Sequence, residues 1–83
     1  MQPLPMTPTR AIQSYVDCRK NKEPVSEEIL FVLRHYKSFG PNELHWILNV
    51  SAYYPEILLE PDMENNIQSL LKGFLAREVN HKF

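Results

Sequence analysis

The amino-acid sequence predicts an all-α fold, a small bundle of about four helices with short connections. Three observations predict it. Apolar residues recur at three- and four-residue spacing in four separate segments. Gly40 and most of the prolines fall between those segments, where they punctuate the chain. No segment shows the strict two-residue alternation of a half-buried strand.

The elements follow in order. Residues 1–7 contain Pro3 and Pro5 and carry no apolar period, which predicts a flexible N-terminal arm ahead of a single domain over residues 8–83. The first helix is expected from Pro8 to about Lys22. Thr7 suits its N-cap and Pro8 its first position. Ile12, Tyr15, Val16 and Arg19 share one face, with Ala11 and Cys18 at its edge.

The second helix is expected over Glu27 to Phe39. Ser26 is a good N-cap, and Val25 can staple against Leu30. Glu27 and Glu28 open the segment, while Arg34 and Lys37 lie toward its end, as the helix dipole prefers. Ile29, Val32, Leu33, Tyr36 and Phe39 form the stripe to be buried. Gly40 is expected to end the helix in a left-handed conformation, with Pro41 preventing its continuation.

A third helix is expected from Asn42 to Tyr53, stopping before Pro55. Leu44, Ile47, Leu48 and Ser51 lie on one face, with Trp46, Val50 and Tyr53 beside them. The combined apolar arc covers roughly 220° of the circumference. A helix so widely apolar is either central to the bundle or covered on a second side by a partner. Residues 55–60 (PEILLE) read as a short link, a helical turn or an extended stretch, with Leu58 and Leu59 needing cover. The fourth helix is expected from Pro61 to about Asn80. Met63, Ile67, Leu70, Leu71 and Phe74 make its core stripe, and Gly73 inside it suggests close helix packing.

Composition narrows the function. At 83 residues the chain fits one domain with a marginal core, since a domain of this size buries only about 60–65% of its unfolded surface. Self-association or docking on a partner would relieve that. The net charge of −1 gives no general attraction to nucleic acid or to an anionic membrane. No apolar run is long enough for a membrane span, and the N-terminus lacks the layout of a signal peptide. The single cysteine, Cys18, suits a reducing compartment, most simply a cytoplasm.

Sites of chemistry are weakly supported. His35, His45, His81 and Cys18 are not paired at helical ligand spacing, and no CxxC or HExxH occurs, so neither a metal nor another cofactor is expected. No glycine-rich phosphate loop is present, and nothing local activates Cys18 as a nucleophile. The expectation is a protein that is not an enzyme and takes no small-molecule substrate. Helices two and three could form a helix-turn-helix in which Asn42, His45 and Asn49 meet bases. DNA affinity needs cations at the phosphates, and no Lys or Arg occurs from Ser38 to Leu71, where five acidic residues do. Nucleic acid is therefore the disfavoured partner.

The aromatic surplus is the strongest positive signal. Phe31 lies off the second helix's buried stripe, and Trp46, Tyr53 and Tyr54 cluster on or just past the third helix. Interfaces favour such residues. Phe31, Trp46, Val50, Tyr53 and Tyr54 are accordingly the expected interface of a small regulator, inhibitor or adaptor that binds another protein and forms a homodimer. A helix-turn-helix regulator and a structural subunit of a larger assembly are the alternatives.

Overall fold

The computed structural model describes residues 6–81, with side chains through residue 77. The order is α1 (Pro8–Lys20), α2 (Glu27–Arg34), a 3-10 turn (Tyr36–Ser38), α3 (Pro41–Ser51), a second 3-10 turn (Pro55–Ile57) and α4 (Met63–His81). No strand occurs among the described residues. The fold is therefore the all-α bundle of four helices that the periodicity predicts. Of the arm expected over residues 1–7, the first five lie outside the described residues. Met6 is half-buried against the core, and Thr7 caps α1 by accepting a hydrogen bond from the Arg10 N–H at 3.1 Å.

α1 is two residues shorter than expected because it closes in a Schellman turn. The Glu23 N–H donates to the Cys18 carbonyl at 2.8 Å, and the Lys22 N–H to the Arg19 carbonyl at 3.3 Å. That turn needs a left-handed residue, and Lys22 supplies it at φ 59°. Gly40, expected to be the left-handed residue, is extended at φ −77° and ψ 171°. The reason is Pro41: a following proline pushes the preceding residue into the extended region. Pro41 itself opens α3 rather than merely ending the segment before it.

The second expected helix divides in two. Ser26 caps α2 by accepting from the Ile29 N–H at 3.3 Å, but the α-helix ends at Arg34 and tightens into the 3-10 turn. Tyr36 opens that turn and Phe39 follows it in an extended conformation, and both are buried. Tyr36 also anchors polar contacts from distant sequence. Its hydroxyl donates to Glu60 Oε2 at 3.3 Å and accepts from Asn66 Nδ2 at 2.8 Å.

The core comprises Ala11, Ile12 and Tyr15 from α1, Ile29 and Leu33 from α2, Leu44, Ile47 and Val50 from α3, and Met63, Ile67 and Leu71 from α4. Ile57 seals it from the second 3-10 turn, so the PEILLE link is partly helical and its Leu58 and Leu59 are half-buried. α3 touches α1, α4 and that turn, which makes it the central helix. Its buried face centres on Ile47, about 50° further toward Val50 than the face through Leu48 and Ser51 that the sequence suggested. α1 packs on that side, and Leu48 and Ser51 lie at the edge.

α4 begins at Met63, after a turn at residues 61 and 62. Among its described side chains Met63, Ile67 and Leu71 are buried, Leu70 and Phe74 of the expected stripe are only half-buried against the core, and Leu75 is 61% exposed. Gly73 does not mark close packing. A Cβ added there would meet no atom within 4 Å.

Candidate interaction groove between α1 and α3

The five expected interface residues are not all in one place. Four of them, Trp46, Val50, Tyr53 and Tyr54, line one open groove beside the C-terminal half of α1, with a volume of about 440 Å³. Its other wall comes from Gln13, Val16 and Lys20, spaced three and four residues apart along α1. The periodicity already put Val16 on the apolar face of α1. What it could not give was the pairing of that face with α3.

The four residues differ in what they offer. Val50 is only 7% exposed and belongs mainly to the core, contributing its edge to the groove floor. Trp46 and Tyr54 are half-buried, each with one side against the core. Tyr53 is 81% exposed. The central position of α3 thus accounts for most of its wide apolar arc. Tyr53, and the outer faces of Trp46 and Tyr54, are the part that folding does not need.

Local structure fixes this geometry. α3 ends as Ala52, Tyr53 and Tyr54 turn back, with the Tyr53 and Tyr54 N–H groups both donating to the Val50 carbonyl at 2.9 and 2.8 Å. Pro55 then starts the second 3-10 turn. Arg19 at the end of α1 pairs with Glu56 of that turn at 3.2 Å, tying the two walls together at one end. Both side chains are substantially exposed, so this pair contributes less than about 1 kcal/mol. Tyr15 lies beneath it. Burial raises the Tyr15 phenol above its ordinary value, Arg19 opposes that, and Glu56 adds to it.

Phe31 stands apart. Its ring is 62% exposed on α2 and lies 4.6 Å from the His35 ring, centroid to centroid. It lines a second shallow groove, of about 420 Å³, with Met6, Pro8, Val32 and Phe39. His35 is held there by its Nδ1, which lies 2.8 Å from the Phe31 carbonyl oxygen.

Cys18 is half-buried against the core. His35 and His45 are exposed, on different helical segments. Among the described residues no three His, Cys, Asp or Glu side chains gather as a metal site, and no helix is long and apolar enough to cross a membrane. Asn42, His45 and Asn49 form an exposed strip on α3, with no cation from Ser38 to Leu71 to accompany it. No family model, no curated protein and no solved structure matches this chain.

Proposed function

We propose that this chain is a non-enzymatic interaction domain, a small regulator, inhibitor or adaptor of a cytoplasm, that binds another protein through the α1–α3 groove. The observation that carries this reading is Tyr53, an aromatic ring held 81% exposed at the lip of an apolar groove floored by Val50 and Trp46. Interface energy concentrates in such aromatic anchors beside preformed apolar pockets, where truncation commonly costs about 2 kcal/mol or more of binding. Self-association is part of the same reading. It is supported by the marginal core of so short a chain and by the exposed Leu75 on α4.

Tyr53→Ala is a cleaner test than Trp46→Ala, because Trp46 also packs on the core. An exposed side chain removed from the lip changes folding stability by about 0.5 kcal/mol at most. Immobilised wild-type chain and Tyr53→Ala, both checked for helicity, are compared for proteins retained from the native lysate. A protein held by the wild type and lost with Tyr53→Ala supports the reading. Identical retention by the two contradicts it. Sedimentation equilibrium tests the self-association: a mass that rises with concentration supports it, and a monomer throughout contradicts it.

A further inference from the structure

The polar chemistry of the α1–α3 groove selects among partners. Among the described residues Lys20 is the only charged side chain that lines it. Its other polar groups include the Gln13 amide, the Trp46 indole N–H and the two tyrosine hydroxyls, all able to donate. Among the described residues no carboxylate belongs to its lining. Two acids lie beside the lining without belonging to it: Glu56 pairs with Arg19 at 3.2 Å, and Asp17 accepts from Gln13 Nε2 at 3.1 Å at the groove's edge.

Two helix C-termini also end near this groove, and a bare C-terminus carries a partial negative charge of about half a unit. Both are capped. The Asp17, Cys18 and Arg19 carbonyls accept from Asn21, Glu23 and Lys22, and the Asn49 and Val50 carbonyls accept from Ala52, Tyr53 and Tyr54. Ser51 Oγ donates to the Leu48 carbonyl at 2.7 Å. With those carbonyls occupied, Lys20 is the charged group that a bound segment meets on the lining itself.

We propose that the groove takes an acidic amphipathic segment of a partner protein, its apolar side chains on Val50, Trp46 and Tyr53 and a carboxylate facing Lys20. This rests on the interaction reading above and adds the chemistry of the partner. Helix-in-groove recognition of this kind uses anchors three and four residues apart. The chain's net charge of −1 works slightly against an anionic partner, so a preference for one reports the groove and not the whole molecule.

Trp46 is the only tryptophan, so its emission reads occupancy of the groove directly. The full chain is titrated with two short synthetic amphipathic peptides that share one leucine face and carry either glutamate or lysine on the other. The expected result is binding of the glutamate peptide about fivefold to tenfold tighter at low salt, with the preference lost at high salt. Lys20→Met, which keeps the length of the side chain, should abolish the preference while leaving helicity intact. Equal affinity for the two peptides, or tighter binding of the lysine peptide, overturns the acidic partner. If Tyr53→Ala still weakens both peptides, the groove itself remains a docking site. No response of Trp46 to either peptide overturns the groove as a docking site, and the acidic partner with it.

Discussion

Gly73→Ala should make this protein more stable. Gly73 sits inside α4, a helix of 19 residues, and no glycine among the described residues has a positive φ, so the backbone there does not require glycine. An added methyl group meets nothing within 4 Å, so no clash offsets the gain. What remains is helix propensity, where glycine is about 1 kcal/mol worse than alanine. With an unfolding entropy of about 2.1 cal/mol/K per residue, that gain raises Tm by about 6 °C in a chain of 83 residues. Thermal unfolding followed by far-ultraviolet circular dichroism, repeated at several protein concentrations, is the assay. A Tm unchanged or lowered at every concentration would refute the reasoning. A rise at low concentration that vanishes at high concentration would place Gly73 against another copy of the chain.

The remaining predictions concern the core, a turn and pH. Leu33→Ala should lose about 2–5 kcal/mol in denaturant unfolding, because Leu33 is fully buried. Leu70→Ala should lose clearly less, since Leu70 is only half-buried, and equal losses would contradict the packing of α4. Lys22→Gly should raise stability by up to about 1 kcal/mol by relieving the left-handed strain at φ 59°, and a loss would mean that the Lys22 side chain makes a stabilising contact. Tyr15 adds an alkaline limit. Burial raises its folded-state pKa, so its contribution is complete below the unfolded value of about 10 and is lost as pH rises through the folded value. Tyr15→Phe should therefore flatten the fall in stability above pH 10, and an unchanged alkaline profile would contradict the assignment.

The helices were legible wherever a local signal governed the chain. Thr7 and Ser26 cap where their side chains can reach the third N–H, and of the expected α4 stripe Met63, Ile67 and Leu71 are buried while Leu70 and Phe74 lie half-buried at its edge. The misreadings have tertiary or competing local causes. Phe39 and Tyr36 fit a helical period, yet burial of both is reached through a 3-10 turn, stabilised by contacts of Tyr36 with Glu60 and Asn66 more than twenty residues away. Gly40 carried two opposed signals, glycine's freedom and the restriction from Pro41, and the second prevailed. The rotation of α3 toward Val50 depends on where α1 packs, which no spacing within α3 encodes. The groove was half legible for the same reason. Its α3 wall is an aromatic surplus visible in the sequence, whereas nothing in the spacing of α1 sets Lys20 against that wall. Phe31 had the same compositional signal as Trp46 and Tyr53 but lines a different groove, because sequence cannot say which helices are neighbours.

Photo-crosslinking in living cells locates the contact most directly. A benzophenone side chain replaces Tyr53 in one variant and Gln68, on the exposed face of α4, in another. The α1–α3 groove as a docking surface predicts a discrete protein adduct from position 53, absent from position 68 and weakened when Lys20→Met is added. No adduct from position 53, or the same adducts from both positions, would contradict it.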